Sequence, residues 1–327
     1  MSLTTYILLD TFVLTDIYQT EATAANTEIF AAVQKEDSLE SKIDANANKE
    51  AKVSEQDEEA LSEYGQSAEN KETDEDLASI GAVLTQTEYE NYSDGNVSVI
   101  IKQYTYEGTQ VYVADVKLKS VENIKTAFAN DAYGRNVTAK TSEIASVNGA
   151  ILAINGDFYG AQETGYVIRN GKVYRDTADS DDEICCIYAD GTMKIMNAGE
   201  KSAQELVEEG VWQAFSFGPG LVEGGEIAVT GADEVGKAMA SNPRTAIGQV
   251  SEDHYVFVVS DGRTRESAGL SLIQLAKFMK GLGVTNAYNL DGGGSSAMYY
   301  QGSIINKPTT NGHRISERSV SDIVYVK

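Results

Sequence analysis

Runs of β-branched and aromatic residues, separated by short polar turns, dominate the chain after residue 97. Val97–Tyr106 and Gln110–Leu118 are two such runs, and Glu107–Thr109 between them is typical of a hairpin turn. Asn170-Gly171 and Asp190-Gly191 interrupt later runs and favour tight two-residue turns. Because hairpins dominate this order, the pattern predicts an α+β fold with a mixed, largely antiparallel β-sheet and packed helices.

Helical periodicity is clearest just before a C-terminal glycine run. Apolar residues share one helical face there, and Ser271 with Gln274 forms a capping box, so a helix is predicted from Leu270 to Leu282. That helix leads into a strand ending at Asp291, which places a loop on a rigid scaffold. Three further helices are predicted from the sequence: Val121–Phe128, Thr141–Val147 and Ser202–Glu209.

The first 88 residues carry a different pattern. Tyr6–Leu14 is apolar but too short to span a bilayer, so residues 1–20 are interpreted as the remnant of a membrane anchor behind an added leader; the alternative is a short amphipathic segment. Residues 21–88 bury too little apolar surface to offset chain entropy and are predicted to form an extended or helical stalk. Residues 89–327 are predicted to form the domain, with folded structure beginning near Val97.

Charge and cysteine usage exclude several function classes. The net charge of −24 and the pI near 4.4 argue against binding nucleic acid through a basic face. Cys185 and Cys186 are adjacent in a predicted strand and point to opposite faces, so buried free thiols are expected. Neither His254 nor His313 lies in a recognisable nucleophile arrangement, and no Cys or His cluster has zinc spacing.

Carboxylates beside glycines remain as candidate chemistry. Asp157, Asp261 and Asp291 each lie next to a glycine at a predicted strand end, although Asp-Gly is also an ordinary turn. Three consecutive glycines are costly to order, so Gly292 to Gly294 indicate a sharp turn or a close approach to a ligand. With the hydroxyls of Ser295 and Ser296, the backbone N–H groups of this run suit an anionic or hydroxyl-rich ligand.

A set of motifs occurs in order between about Val97 and Lys327. They are Asn155-Gly-Asp-Phe-Tyr159, Phe217-Gly-Pro-Gly220, Asn242-Pro-Arg-Thr-Ala246, Asp261-Gly-Arg263, the helix Leu270–Leu282, Asn289-Leu-Asp-Gly-Gly-Gly-Ser-Ser296 and Glu317-Arg-Ser-Val320. In these motifs the chain resembles the phosphodiester glycosidase family, named for the enzyme that uncovers mannose 6-phosphate by removing N-acetylglucosamine from a phosphodiester. Several ordered motifs matching together are more specific than one glycine-rich loop.

The resemblance implies a set of site residues. Asp291 matches the family's acid directly, Asp157 occupies a position where relatives often have glycine, and Asp261 lies in the Asp-Gly-Arg turn; these three are the candidate catalytic residues. The implied substrate-binding residues are Asn155, Gly156, Arg244, Arg263, Gly292, Gly293, Gly294, Ser295, Ser296, Glu317 and Arg318.

The same resemblance implies a hydrolase that cleaves the glycosidic C–O bond of a sugar 1-phosphodiester without a cofactor. The substrate is expected to be an N-acetylglucosamine-type compound or a cell-surface phosphoglycan. The layout resembles membrane-tethered, exopolysaccharide-associated bacterial relatives, so the expected location is the extracellular face of the membrane, held by one N-terminal anchor. Two alternatives remain open at this stage: a phosphodiesterase that cuts P–O with Mg²⁺ or Ca²⁺ held by the three acids, and a non-catalytic glycan-binding or assembly protein.

Overall fold

The computed structural model describes residues 18–19, 68–85, 89–231, 233 and 241–327 of the chain. The predicted anchor, apart from residues 18–19, and most of the predicted stalk lie outside these residues. None of the helices in the described part of the chain has the length and apolar character that a membrane crossing needs. The α-helices described are α1 (Ala68–Ser79), α2 (Thr141–Asn148), α3 (Ala203–Glu208) and α4 (Leu272–Gly281).

Antiparallel strands make up most of the remaining regular structure. In chain order they are β1 (Tyr18–Gln19), β2 (Val83–Thr85), β3 (Tyr92–Ser93), β4 (Val97–Tyr106), β5 (Thr109–Leu118), β6 (Ile124–Phe128), β7 (Ala132–Tyr133), β8 (Leu152–Asn155), β9 (Val167–Arg169), β10 (Lys172–Arg175), β11 (Glu183–Tyr188), β12 (Met193–Asn197), β13 (Val211–Phe215), β14 (Gly220–Glu223), β15 (Glu226–Ile227), β16 (Arg244–Ser251), β17 (His254–Ser260), β18 (Asn286–Leu290), β19 (Met298–Tyr300), β20 (Ser303–Ile304) and β21 (Asp322–Val326).

The described strands form four sheets, of which the smallest is the antiparallel pair β1 and β7 and the other three make up the domain. The largest has the order β15-β14-β18-β16-β17-β5-β4-β2, with β3 also pairing with β4. Two five-stranded sheets, β10-β9-β13-β11-β12 and β20-β19-β8-β21-β6, pack near it, and the main apolar core draws on all three. A second core lies between the large sheet and α4, where Leu275 and Phe278 are fully buried. The predicted α+β class with largely antiparallel sheet is therefore confirmed.

Short sequence motifs predicted several structural features that the structure confirms. Ser271 Oγ accepts the Gln274 N–H at 3.2 Å and Gln274 Oε1 accepts the Ser271 N–H at 2.9 Å, which confirms the predicted capping box of α4. Asn170 and Gly171 have positive φ angles of 52° and 73° in the turn between β9 and β10, as a tight hairpin requires. Both cysteines are free and buried, Cys185 in the main core and Cys186 in a separate cluster on the other face.

Two expectations differ from the structure. The predicted helix Val121–Phe128 is wrong beyond its first turn, because Ile124–Phe128 is a strand that pairs along its whole length with β21. Folded structure also begins before Val97. Leu77 of α1 is fully buried against α4, and Asp74 pairs with Lys102 at 3.0 Å, so the end of the predicted stalk packs onto the domain.

Candidate active site

The glycine run lies where two sheets meet. Asp291 is the first residue after β18, inside the large sheet, and its N–H donates to Gly156 O at 3.3 Å. Asn155, the last residue of β8, donates from Nδ2 to Asp291 O at 2.6 Å and accepts the Thr245 hydroxyl at 2.8 Å. Asn155 is fully buried. It therefore holds the ends of β8 and β18 together and fixes the position of the Asp291 loop.

The Asp291 carboxylate forms an ion pair with Arg318. Arg318 Nη2 lies 3.0 Å from Oδ2 and 3.3 Å from Oδ1, and Ser295 Oγ accepts from Arg318 Nε at 2.8 Å. The Asp291 side chain is 10% exposed and that of Arg318 is 38% exposed, so the pair opens toward solvent through the guanidinium. Burial raises the pKa of Asp291, while Ser295, Arg318 and the Gly292 N–H oppose that rise.

Two more arginines border the same loop. Arg263 is exposed, adopts a positive φ of 62°, and donates to Thr310 O at 2.6 Å and to Asn242 Oδ1 at 3.0 Å. A Cβ atom at Gly293 would come within 2.9 Å of Arg263 Nη2, so glycine permits this close approach. Arg244 is buried and donates from Nε to Leu270 O at 2.9 Å. The structure therefore brings Arg244, Arg263 and Arg318 to one loop.

The backbone of the glycine run is less available than its composition suggests. The N–H groups of Gly293, Ser295 and Ser296 donate to backbone carbonyls of Pro243, Gly292 and Gly293. Gly294 lies against Thr310, whose Oγ1 would be 2.4 Å from an added Cβ. These glycines serve close packing of the loop. Most of the N–H groups that were predicted to bind an anion therefore already donate hydrogen bonds within the loop. The groups that remain able to bind an anion are the guanidinium groups.

Asp157 lies beneath the site rather than in it. It is fully buried, its Oδ1 accepts from Arg169 Nη2 at 2.8 Å, and its Oδ2 accepts the Ser216 N–H at 2.9 Å. Arg169, also buried, donates from Nε to Asp322 Oδ2 at 2.9 Å. Burial raises the pKa of Asp322 to about 7, although Arg169 opposes the rise. The three side chains form a buried cluster that supports the Asn155–Gly156 loop.

Asp261 and Glu317 also bind within the protein. Asp261 Oδ1 accepts the Lys307 N–H at 2.8 Å and Asn306 Nδ2 at 3.2 Å, and burial raises the pKa of Asp261. Glu317 accepts the Ser142 N–H at 2.9 Å and the Ser142 hydroxyl at 2.6 Å, at the start of α2. Both carboxylates hold segments that flank the glycine run. Their predicted catalytic and substrate-binding roles stay predictions.

Phe158 and the Arg169–Asp322 pair are features of the site that the sequence reasoning did not single out. Phe158 is 40% exposed, has a positive φ of 66°, and its ring centroid lies 6.0 Å from Arg318 Cζ. A bulky residue rarely adopts this backbone conformation, and such outliers concentrate at functional sites. Its place in the Asn155–Tyr159 motif was the available signal. Arg169 and Asp322 gave none, since they are 153 positions apart.

The acidic residues of the site do not form a metal-binding cluster among the described residues. No group of three or more His, Cys, Asp or Glu side chains within them is arranged to hold a metal ion. Asp157, Asp261 and Asp291, which the metal alternative requires as a joint ligand set, accept hydrogen bonds from three different sets of neighbours.

Comparison with known proteins identifies the family to which this architecture belongs. The family model described as phosphodiester glycosidase matches residues 148–327, more than half of the chain and the whole of the Asn155, Asp291 and Arg318 constellation. The chain belongs to the phosphodiester glycosidase family. This confirms the resemblance carried by the motifs and assigns the chain to a family of enzymes that act on carbohydrate phosphodiesters.

Individual relatives are distant. The N-acetylglucosamine-1-phosphodiester alpha-N-acetylglucosaminidase of Mus musculus is 27% identical over 54% of this chain and 37% of its own length. The SPbeta prophage-derived uncharacterized protein YomE of Bacillus subtilis is 28% identical over 69% of this chain and 37% of its own length. The matches thus span little more than a third of these relatives.

Solved structures show the same fold. The catalytic domain of the zebrafish N-acetylglucosamine-1-phosphodiester alpha-N-acetylglucosaminidase, auto-inhibited by its pro-peptide, aligns with a TM-score of 0.57 at 21% identity, over 75% of this chain and 87% of that domain. A hypothetical protein from Synechocystis aligns with a TM-score of 0.51 at 16% identity, over 74% of this chain and 64% of its own.

Proposed function

We propose that this chain hydrolyses the glycosidic C–O bond of a sugar 1-phosphodiester. The observation that carries the proposal is the Asp291–Arg318 pair at 3.0 Å, which faces outward through the guanidinium, with Arg263 against Gly293 of the same loop. A carboxylate is the usual group for stabilising an oxocarbenium-like sugar, and planar guanidinium groups match the oxygens of a phosphodiester. Family membership supports this reaction class.

The proposed roles follow from exposure and contacts. A phosphomonoester is a weakly basic leaving group, so the reaction needs less help from a general acid than an ordinary glycosidase reaction does. Arg318 and Arg263 hold the phosphate and offset the charge that grows on it as the C–O bond breaks. Asp291 stabilises the positive charge developing on the sugar or activates the attacking water. Asp157 and Asp261, whose carboxylates accept hydrogen bonds from neighbouring segments, position the loops.

The decisive experiment follows the bond that breaks. Hydrolysis of a defined N-acetylglucosamine 1-phosphodiester in H₂¹⁸O is expected to place ¹⁸O in the sugar, and mass spectrometry of both products reads this directly. Label in the phosphate, together with loss of activity in EDTA, would support the metal-dependent phosphodiesterase instead.

The Asp291→Asn variant tests the residue that the proposal depends on. It removes the negative charge but keeps the shape, and we expect kcat/KM to fall by about 10²–10⁴-fold, the range for loss of a positioned catalytic group. Circular dichroism and urea unfolding check that the variant folds. Near-normal turnover in a folded variant would remove Asp291 from the mechanism.

Location and natural substrate belong to the same proposal. We place the enzyme on the extracellular face of a bacterial membrane, acting on cell-wall, capsule or exopolysaccharide phosphodiesters. Fractionation of cells that produce the protein, with protease treatment of intact cells, tests the location. A non-catalytic glycan-binding protein would instead bind a phosphoglycan tightly and release no product over long incubation.

A further inference from the structure

A cavity of about 510 Å³ opens beside the Asp291 loop and takes no part in the chemistry described so far. One wall is the turn from Ser216 to Gly220, which precedes β14. The lining also includes acidic residues from the segment before β11, chiefly Asp181 and Asp182. Its size is in the range of ligand-binding pockets.

Strand register connects this cavity to the catalytic carboxylate. Gly220 pairs with Tyr288, so the start of β14 lies beside the middle of β18, three residues before Asp291. Asn289, the next residue, donates from Nδ2 to Gly218 O at 2.7 Å and from its backbone N–H to Pro219 O at 3.2 Å. Asn289 and Asp291 are two positions apart, about 7 Å at the rise of an extended strand. The side chain of Asn289 therefore connects Gly218, in the cavity lining, to the strand that ends at Asp291.

A second connection runs through the floor of the site. The Ser216 N–H, in the cavity wall, donates to Asp157, the residue before Phe158. Phe158 follows Asp157 in the sequence and Phe217 follows Ser216, and the two residues are 40% and 37% exposed. Phe217 lines the cavity, and its exposed ring offers a flat apolar face for the C–H side of a sugar ring, while Phe158 lies against Arg318.

Asn289 gives an independent sign that a ligand group is missing. Its side chain is 3% exposed, and no group among the described residues donates a hydrogen bond to its Oδ1. A buried acceptor without a donor is uncommon and costs free energy. A sugar hydroxyl at the junction of cavity and carboxylate would supply that donor.

The charge of the cavity limits what it can hold. Four of the described lining residues are acidic, Asp181, Asp182, Glu183 and Asp233, and none is Lys or Arg. Arg175 lies behind one wall, where its Nε donates to Gly165 O at 2.6 Å, so one positive charge offsets part of this field. The arginines of the site, Arg318 and Arg263, contact Asp291 and the glycine run, and neither lines the cavity.

We infer that this cavity is the glycosyl subsite and that it selects a neutral or amine-bearing sugar while rejecting one that carries a carboxylate, sulfate or second phosphate. The inference rests on the proposed function, because it assigns the phosphate to the arginine side of Asp291 and the sugar to the acidic side. Like charges placed together weaken binding, and a field of one sign in a cleft governs which ligands enter it.

A matched pair of substrates tests the inference. A glucose 1-phosphodiester and the corresponding glucuronic acid 1-phosphodiester differ in one carboxylate, and we expect kcat/KM to be at least about tenfold lower for the acid, a factor equal to 1.4 kcal/mol. Raising the salt concentration should narrow the gap by screening. In Asp181→Asn/Asp182→Asn the gap should shrink severalfold. The control Glu122→Gln/Glu208→Gln removes the same formal charge outside the cavity lining and should leave the gap unchanged.

The outcomes separate the two proposals. Equal kcat/KM for both sugars, or an equal gap in both double variants, overturns the subsite while the glycosidase function stands. If neither compound is cleaved, the experiment with the N-acetylglucosamine 1-phosphodiester decides the proposed function, and the subsite is tested alone by titrating Asp291→Asn with glucosamine and with glucuronic acid, followed by NMR. Preference for glucosamine that is weakened by the Asp181/Asp182 substitutions supports the subsite. Equal binding or preference for glucuronic acid rejects it.

Discussion

Two carboxylate–guanidinium clusters lie one above the other in this protein and differ mainly in burial. In the upper cluster, Arg318 is 38% exposed and pairs with Asp291 at 3.0 Å. In the lower cluster, Arg169 is 1% exposed and bridges Asp157 and Asp322 at 2.8 and 2.9 Å. Gly156 connects the two, since its carbonyl accepts the Asp291 N–H while its Cα lies against the Asp322 carboxylate.

The difference in burial gives the two clusters different roles: the upper one can contact a ligand, and the lower one supports the loop. The lower cluster is closed to solvent, so its charges act on one another and on the backbone that they hold. The upper cluster keeps part of a guanidinium open, which leaves it able to meet an external anion. The same residue types thus stabilise the loop from below and present its reactive group above, as preorganised sites require.

Removing Arg169 should have the largest effect. Arg169→Met leaves two buried carboxylates without their partner, and we expect a loss of about 3–5 kcal/mol in the free energy of unfolding, measured by urea titration. Arg318→Met is the matched control and should cost about 1 kcal/mol or less, because its guanidinium is partly solvated. Equal losses in the two variants would mean that burial does not distinguish the clusters.

Removing Arg318 should act on the reaction instead. In Arg318→Gln the phosphate loses one charged donor, and we expect kcat/KM to fall by about 10²-fold, comparable to the loss of one transition-state donor elsewhere. Arg318 also opposes the burial-driven rise in the pKa of Asp291, so the acid limb of the activity profile should move to higher pH. A pH–rate profile of wild type and variant measures both. An unmoved limb would show that Asp291 is not the group that must ionise.

Features whose residues lie close together in the sequence were predictable, whereas contacts between distant residues were not. The hairpin at Asn170-Gly171 and the capping box at Ser271 are encoded within four residues, and both were predicted. Strand β6 was mistaken for a helix because its partner β21 lies almost 200 positions later, where no local signal reports the pairing. For the same reason motifs located Asp291 and Arg318, whereas the lower cluster depends on an Arg169–Asp322 contact that no motif spans.

Substitution at the connection between the clusters should have an intermediate effect. A Cβ at residue 156 would lie 2.1 Å from Asp322 Oδ1, so Gly156→Ala must displace the buried cluster or the loop. We expect a loss of about 1–3 kcal/mol in stability, typical of overpacking, together with lower kcat/KM. Gly231→Ala is the control, since its Cβ meets nothing within 4 Å, and its effect should stay within about 0.5 kcal/mol. Unchanged stability in Gly156→Ala would show that the two clusters are not coupled through this residue.

The lower cluster should also make the stability of the protein depend on pH. Burial raises the pKa of Asp322 to about 7, above the value of about 3.9 for a carboxyl in an unfolded chain. Between these values the folded state binds a proton that the unfolded state does not. The stabilisation is therefore fully present below about pH 4 and is lost as the pH rises through about 7.

Asp322→Asn removes this titration while keeping an acceptor for Arg169. We expect the wild-type free energy of unfolding to fall relative to that of the variant as the pH rises from about 5 to about 8, in urea titrations of both proteins. Glu122→Gln serves as the comparison, because Glu122 is exposed and lies outside both clusters, so the variant should leave this slope in place. Parallel pH profiles for wild type and Asp322→Asn would show that Asp322 takes up no proton on folding in this range, so that its carboxylate beneath the catalytic loop stays charged.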